Sequence, residues 1–390
     1  MGDPALAPWP FYDDDEVDVA ARVLRSGRVN YWTGEEGRKF EAEYAAHCAV
    51  PHGLVVANGT AALELALYGL GIGPGDEVVV PARTFIATAA AVALCGARPV
   101  VADIDSISQN MTAETVEKAL SPRTKAIIPV HLAGWPVDMI PLSALAQQHN
   151  LMVVEDCAQA HGATIDGKPV GSFGHVGCFS FCQDKIISTG GEGGMVVTDD
   201  TAIYRRMWSR RDHGKDFEGS HAHDAAPGFK WLVASFGTNW RLTESQSAIG
   251  RLQLKKLPHW TAMRRANAAV LSEGLGSLSA VSVPVPPARL GHAYYKYGGL
   301  INTRALKDGW SRDRICAELN RRGVPARVGA CPDISREAAF ANETGAQPAH
   351  PNAESIADRT FILPVHPTLS ASNMAFIAET TRDVILAATR

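Results

Sequence analysis

Between about residues 50 and 200, short apolar runs alternate along the chain with longer amphipathic segments. This rhythm predicts strand, helix, strand units and therefore an α/β fold around a mostly parallel sheet. Near-continuous hydrophobicity within the runs is typical of strands that are covered on both faces. The predicted strands are 54–57, 77–80, 99–102, 126–130 and 151–155, and the predicted helices between them include 61–68 and 87–94.

The pattern changes after Arg241, where a long helical stretch at 242–269 mixes apolar and basic positions. A proline-rich segment at 283–287 ends this stretch, which we interpret as the connection between two domains. A smaller α+β unit is predicted from the elements that follow, an aromatic strand at 294–300 and helices at 312–321 and 373–388. Because 390 residues exceed what one core usually serves, we expect an amino-terminal arm, a large domain and a small carboxyl-terminal domain, at 1–35, 36–255 and 256–390.

The composition narrows the class of protein. Hydrophobic residues make up 46% of the chain and charged residues 20%, and the formal net charge is −4. These values are typical of a soluble globular protein and give no positive excess for a nucleic-acid partner. The longest apolar runs fall far short of the roughly 20 residues that span a bilayer, so we expect no membrane partner. The first residues lack a basic segment followed by an apolar core, so we expect no export.

The seven cysteines are scattered along the chain without a paired Cys-x-x-Cys motif. This arrangement argues against a disulfide framework and against a zinc site. We therefore expect a cytoplasmic protein that holds no metal.

The most informative motif is SFCQDK at residues 180–185, which is followed closely by the glycine run at 190–194. Upstream of it, Asp156 closes one of the predicted buried strands. A lysine amine, a carboxylate at a strand end and a phosphate-sized glycine loop are what pyridoxal 5'-phosphate (PLP) needs as Schiff-base partner, pyridinium counter-ion and phosphate cradle. The pattern therefore predicts a PLP site that contains Lys185 and Asp156.

Two segments nearer the amino terminus are candidates for the same site. Residues 58–62 follow a strand and open a helix, so the amides of Thr60 and Ala61 are predicted to face an anion such as phosphate. The alternative is a plain turn with a helix N-cap. Phe85 follows the next strand and reaches the same edge of the sheet, where it could stack on a flat ring. A core aromatic at a helix start is the alternative for Phe85.

The residues around the predicted cofactor also have structural alternatives. Asp156 is buried and needs a positive partner, which is either a pyridinium nitrogen or an arginine or helix N-terminus. Gln159 is a candidate donor to the ring hydroxyl, and Ser180 is a candidate phosphate ligand. Apolar neighbours such as Phe181 argue that Lys185 is not the solvated surface residue that most lysines are.

Seven segments together carry a resemblance to a known family. They are 58–63 (NGTAAL), 84–85 (TF), 155–160 (EDCAQA), 179–181 (FSF) with Lys185, 191–194 (GEGG), 239–244 (NWRLTE) and 323–325 (GVP). Over nearly its whole length the chain resembles the DegT/StrS family of PLP-dependent sugar aminotransferases. The resemblance implies the aspartate aminotransferase fold, with a large, mostly parallel sheet domain and a smaller α+β domain.

The resemblance also implies roles around the cofactor ring. Lys185 would form the Schiff base with PLP, and Asp156 would pair with the ring nitrogen. Gln159 would contact the ring hydroxyl, and Phe85 would stack on the ring.

The cofactor phosphate is implied to lie between two subunits. Thr60, Ala61 and Ser180 would hold it from one chain. Asn239 matches a family position that reaches the phosphate of the neighbouring subunit's cofactor. The resemblance therefore implies a homodimer with shared active sites.

The implied activity is transfer of an amino group from L-glutamate to a keto group, at C3 or C4, of a nucleotide-linked deoxysugar. Such a reaction belongs to deoxyaminosugar and surface polysaccharide (O-antigen) biosynthesis. One alternative is a PLP-dependent sugar dehydratase of the same fold, in which the resemblance suggests a histidine at the position of Lys185. A non-catalytic sugar-binding or regulatory protein would be expected to lose Lys185 or Asp156, and both are present. An NAD-dependent oxidoreductase would require a dinucleotide fingerprint, which we do not find.

Overall fold

The computed structural model describes residues 6–221, 231–343, 345 and 347–390, so the first five residues of the predicted arm lie outside the described part. The strands are β1 (His52–Val56), β2 (Glu77–Pro81), β3 (Arg98–Ala102), β4 (Thr124–Ile127), β5 (Met152–Asp156), β6 (Thr164–Ile165), β7 (Lys168–Pro169), β8 (Val176–Ser180), β9 (Gly194–Thr198), β10 (Val281–Ser282), β11 (Leu290–Gly291), β12 (Tyr297–Ile301) and β13 (Thr360–Leu363).

The α-helices surround these strands. They are α1 (Asp14–Ser26), α2 (Glu36–His47), α3 (Gly59–Gly69), α4 (Ala87–Leu94), α5 (Ala113–Glu117), α6 (Met139–Gln148), α7 (Thr201–Arg211), α8 (Phe217–His221), α9 (Glu244–Leu275), α10 (Arg312–Arg321), α11 (Ala338–Glu343), α12 (Pro351–Ile356) and α13 (Ala371–Ala388). Within the described chain, none of these helices combines the length and the apolar character that a membrane crossing requires.

A seven-stranded sheet in the order β1-β9-β8-β5-β4-β2-β3 forms the centre of the larger part of the molecule. Strands β3, β2, β4, β5 and β8 pair in parallel, whereas β9 is antiparallel to both of its neighbours, β8 and β1. The predicted α/β class with a mostly parallel sheet is therefore confirmed. Because the parallel strands point the same way, their carboxyl ends meet at one edge.

Helices cover both faces of this sheet. Val79 and Val153 belong to the hydrophobic cluster on one face, and Val78 and Val154 to the cluster on the other. Successive side chains of a strand point in opposite directions, so each strand must be apolar at consecutive positions to fill both clusters. This requirement explains the near-continuous hydrophobic runs of the sequence.

A second, three-stranded sheet in the order β10-β12-β13 lies in the carboxyl-terminal part. Helices α9, α10 and α13 share a hydrophobic cluster with it, which contains Leu271, Ile315 and Ile377. Helix α9 runs without interruption through the predicted domain boundary at residue 255. The position of that boundary stays a prediction.

The predicted aromatic strand at 294–300 is wrong at its beginning, because β12 starts only at Tyr297. Tyr294 has a φ of 49°, which lies outside the range of regular strands. The Arg264 guanidinium donates to the carbonyl oxygens of Tyr294 at 3.3 Å and Tyr295 at 3.2 Å, so a buried cation satisfies groups that would otherwise pair in a ladder. Residues 294–296 therefore form a turn.

The segment that follows α10 packs against the edge of the large sheet. The Ile334 amide donates to the Ala82 carbonyl at 2.8 Å. His350 Nδ1 lies 2.9 Å from Asp333 Oδ2, and His350 Nε2 lies 3.2 Å from the Val101 carbonyl oxygen. Both ring nitrogens thus face acceptors, which suits a protonated imidazole.

Asp333→Asn is expected to destabilise the protein by about 2 kcal/mol near pH 5.5, because it breaks a buried ion pair. Burial lowers the pKa of His350, but the hydrogen bond and charge of Asp333, together with the Val101 carbonyl and Asp103, raise it overall. Burial raises the pKa of Asp333, but the hydrogen bonds from His350 and Ser335 and the charge of His350 together lower it overall. The pair therefore stabilises fully between pH 3.8 and 6.5, the ordinary pKa values of the two groups.

Urea unfolding of native protein and Asp333→Asn across pH 5 to 9 would measure this difference. The gap between the two proteins should shrink as the pH rises through the folded pKa of His350. A gap that stays constant with pH would contradict the ion pair.

Candidate active site

A cavity of about 970 Å³ opens at the carboxyl edge of the large sheet, between it and the carboxyl-terminal part. Strand ends, the amino terminus of α3 and the turn at 294–296 contribute to its wall. The structure brings together at this wall all but one of the residues predicted for the cofactor site: Thr60, Ala61, Phe85, Asp156, Gln159, Ser180 and Lys185.

Asp156 is the last residue of β5 and is buried at the cavity floor. Its Oδ2 accepts a hydrogen bond from Thr88 Oγ1 at 3.0 Å, and its Oδ1 accepts one from the Ala158 amide at 3.1 Å. Thr84 Oγ1 lies 2.9 Å from Thr88 Oγ1 and so fixes that hydroxyl. Burial raises the pKa of Asp156, and these neutral donors together with the charge of Lys185 offset the effect only in part.

The amino terminus of α3 forms a second part of the wall. The Asn58 side chain caps this helix by accepting from the Ala61 amide at 2.9 Å, so that amide is already used within the chain. A Cβ on Gly59 would lie 2.7 Å from Ser180 Cβ, closer than real side chains come. Only glycine therefore lets the start of α3 approach Ser180 so closely.

Lys185 lies in the loop after β8, next to the buried Ile186 and Ile187. Its side chain is 16% exposed, and its Nζ lies 3.6 Å from Asp184 Oδ1. The amine also lies 5.0 Å from the centroid of the Tyr295 ring, in reach of a cation–π contact. Its backbone is thus held by apolar packing while its amine faces the cavity.

The amino-terminal arm contacts the lysine loop directly. Trp9 Nε1 donates to the Lys185 carbonyl oxygen at 2.9 Å. Tyr12 Oη lies 2.9 Å from Ser188 Oγ and accepts from the Gly190 amide at 3.1 Å. The arm therefore contacts the loop at Lys185, Ser188 and Gly190, a role that no local pattern in the sequence could indicate.

Trp9→Phe is expected to weaken PLP binding about fivefold, because it removes one hydrogen bond to the loop and keeps the aromatic packing. Absorbance titration with PLP would measure the dissociation constant. Trp260→Phe is the matched control, since Trp260 packs edge-on against Trp9 at 5.3 Å. An unchanged dissociation constant in Trp9→Phe would show that the arm does not position the loop.

Phe85 and Gln159 lie elsewhere on the cavity wall. Phe85 is 68% exposed, so its ring is available to a ligand and is not part of the core. Gln159 Oε1 accepts from the Ala133 amide at 2.8 Å, which orients the side-chain amide and leaves Nε2 as a donor. This arrangement suits a hydrogen bond to a ring oxygen.

Asn239 is the predicted residue that does not line the cavity of its own chain. It forms an isolated β-bridge with Asp212, whose carboxylate accepts from Trp32 Nε1 at 2.6 Å and pairs with Arg241. Its predicted role toward a neighbouring subunit stays a prediction.

The comparison with known proteins decides the family. A sequence model described as the DegT/DnrJ/EryC1/StrS aminotransferase family matches residues 10–382. The chain belongs to the DegT/DnrJ/EryC1/StrS aminotransferase family. The predicted family resemblance, PLP dependence and aminotransferase activity are thereby confirmed.

Members of the DegT/DnrJ/EryC1/StrS family with assigned reactions are similar to this chain along most of its length. A UDP-N-acetyl-3-dehydro-alpha-D-glucosamine 3-aminotransferase of Acidithiobacillus ferrooxidans is 42% identical, over 91% of this chain and 90% of the relative. A dTDP-3-amino-3,4,6-trideoxy-alpha-D-glucose transaminase of Streptomyces venezuelae is 38% identical, over 94% and 92%. The crystal structure of an aminotransferase from Psychrobacter cryohalolentis superposes with a TM-score of 0.95 at 45% identity, covering 98% of this chain and 99% of that one.

The cavity of this DegT/DnrJ/EryC1/StrS aminotransferase fits PLP. Asp156 is a buried carboxylate with two neutral donors, so a protonated ring nitrogen would supply the positive charge that burial otherwise makes costly. Thr60 and Ser180 line the cavity where α3 begins, and a helix amino terminus of this kind suits a phosphate. Lys185 supplies the amine on the same cavity wall.

Some residues of this aminotransferase site have little or no signal in the sequence. Thr88 lies on α4, three residues after Phe85, and the only signal for it is its place on the helix that follows a site strand. Asp184 accepts a hydrogen bond from Tyr295 Oη and so connects the lysine loop to the turn at 294–296. That contact joins residues 111 positions apart and has no local signature.

Proposed function

We propose that this aminotransferase moves the amino group of L-glutamate to a keto group of a nucleotide-linked deoxysugar. The names of the two relatives both put the nitrogen at position 3, which favours C3 over C4. The observation that carries the proposal is that Asp156 and Lys185 face one cavity of about 970 Å³. That volume lies at the upper end of the range of small-molecule sites, as a nucleotide-linked sugar requires.

Different residues of the cavity have different roles in this reaction. When bound, PLP supplies an electron-withdrawing ring that stabilises negative charge at the reacting carbon. Asp156 keeps the ring nitrogen protonated, because its carboxylate has no other cation at hydrogen-bonding distance among the described groups. Lys185 Nζ takes the proton from the α-carbon of L-glutamate and later returns one to the sugar side. Asp184 and Tyr295 hold the amine in the cavity between these steps.

We also propose a cytoplasmic homodimer with shared sites that serves deoxyaminosugar and O-antigen assembly. The seven free cysteines support a reducing compartment. Phe236 is 94% exposed and Val233 is 62% exposed, in the segment that leads to Asn239. Exposed apolar side chains beside a residue expected to serve a neighbouring subunit support a surface that a second copy covers.

The test combines the purified protein, PLP and L-glutamate with UDP- or dTDP-linked 3-keto and 4-keto deoxysugars. Mass spectrometry should detect the sugar amine and an equal amount of 2-oxoglutarate, because the amino group replaces the keto oxygen. The preferred keto position is read from the product. Absence of 2-oxoglutarate with every keto-sugar, in protein that binds PLP, would refute the proposal.

A further inference from the structure

A second lysine amine lies on the cavity wall. Lys296 belongs to the turn at 294–296 and lines the cavity beside Tyr295. Its Nζ lies 4.7 Å from the centroid of the Tyr295 ring, and Lys185 Nζ lies 5.0 Å from the same centroid. Both amines therefore lie within reach of a cation–π contact with the same Tyr295 ring in the cavity.

The turn that carries Lys296 is held in place. The Lys296 amide donates to the Ala133 carbonyl at 3.4 Å. Arg264 is fully buried, donates to the carbonyl oxygens of Tyr294 and Tyr295, and lies 5.0 Å above the Trp9 ring. The backbone that carries the amine is thus held in place before a ligand arrives.

The charge around Lys296 is positive. Lys185, Arg264 and Arg327 all lie close enough to disfavour its protonated form. Asp184 is the carboxylate that favours it, but Asp184 already pairs with Lys185 and accepts from Tyr295. Within the described part of the chain, no oxygen accepts a hydrogen bond from Lys296 Nζ. Burial lowers the pKa of Lys296 to about 8, so the amine keeps its proton at neutral pH and lacks a counter-ion.

We propose that Lys296 and Arg327 form a subsite for a carboxylate of a ligand in the cavity. Arg327 is exposed, lines the same cavity and provides a bidentate donor. The carboxylate belongs either to the amino donor or to an acidic nucleotide-linked sugar. The inference rests on the proposed function. It adds that this part of the cavity wall selects a negatively charged ligand.

Calorimetric titration of the PLP-loaded protein, without turnover, tests the subsite. Succinate represents the amino donor, and UDP-glucuronate compared with UDP-glucose represents an acidic sugar. The native protein should bind one of the acidic probes, and Lys296→Gln should weaken that binding about tenfold. Lys296→Arg should retain it within about threefold, because the positive charge remains. Exposed Lys125, on β4, gives the control Lys125→Gln, which should match the native protein.

The outcomes separate the two sources. Loss of succinate binding alone assigns the carboxylate to the amino donor, and loss of the preference for UDP-glucuronate over UDP-glucose assigns it to the sugar. Binding should also fall as the pH rises and Lys296 loses its proton next to Asp184, Lys185, Arg264 and Arg327. No binding of either acidic probe to the native protein, or equal affinity in Lys296→Gln, would overturn the subsite. Because no step needs turnover, the binding result is independent of the mass-spectrometric test of the proposed function.

Discussion

Replacing Lys185 with alanine is expected to lower the rate of transamination by about 10⁴-fold, because the amine acts both as cofactor partner and as general base. The fold should survive this change. The side chain packs against Tyr295 and pairs with a half-exposed Asp184 carboxylate at 3.6 Å, an ion pair of the kind that contributes little to stability. Release of 2-oxoglutarate from L-glutamate in single-turnover experiments would measure the loss.

The decisive control for Lys185→Ala is chemical rescue. A small primary amine such as methylamine should restore part of the rate in the variant if the missing group is a base. The exposed Lys125→Ala variant should keep the native rate with or without added amine. A Lys185→Ala protein that releases 2-oxoglutarate at the native rate would remove Lys185 from the mechanism.

Features encoded by neighbouring residues can be predicted from the sequence. The predicted helix 87–94 has the bounds that the structure shows, because an alanine-rich run lies between two clear strands. The helix predicted at 61–68 in fact begins at Gly59, where the Asn58 side chain provides the cap. The end of β5 at Asp156 follows from an apolar run that stops at an acid.

Contacts between distant segments cannot be predicted in this way. Trp9 contacts Lys185, which lies 176 positions away in the sequence, and the local sequence around either residue does not indicate that contact. The aromatic residues of the turn at 294–296 suit a strand, whereas the tertiary contact from Arg264 determines their conformation. The subunit that Asn239 is predicted to serve lies outside a single chain altogether.

Two adjacent carboxylates show how the environment separates similar groups. Both Glu155 and Asp156 are buried in β5, and burial alone raises the pKa of each. Glu155 also pairs with His131 at 3.1 Å and accepts from the Gly171, Phe173 and Gly174 amides at 2.6 to 2.8 Å, so its pKa is lowered overall. Asp156 has two neutral donors, and its pKa stays raised. Glu155 is therefore a structural anion, and Asp156 remains available to pair with a cation that the chain does not supply.

Asp156→Asn is expected to reduce transamination by about 10³-fold, because the ring nitrogen then loses the charge that keeps it protonated. The cofactor-free protein should nevertheless melt at the same temperature as the native protein or higher. A raised pKa in the folded state means that Asp156 contributes stability below its ordinary pKa of 3.8 and loses it as the pH rises through the folded value. The higher melting temperature of the cofactor-free variant should thus be visible at pH 7 and absent near pH 4.

Glu155→Gln is the matched control one residue away and should give the opposite pattern. The side-chain NH₂ group of the introduced glutamine would face backbone N–H groups that need an acceptor. We therefore expect a loss of about 3 kcal/mol of stability at pH 7. Thermal unfolding and single-turnover rates of both variants decide the assignment. If Asp156→Asn destabilises the cofactor-free protein as much as Glu155→Gln does and keeps its activity, Asp156 is a second structural anion and not the partner of the cofactor.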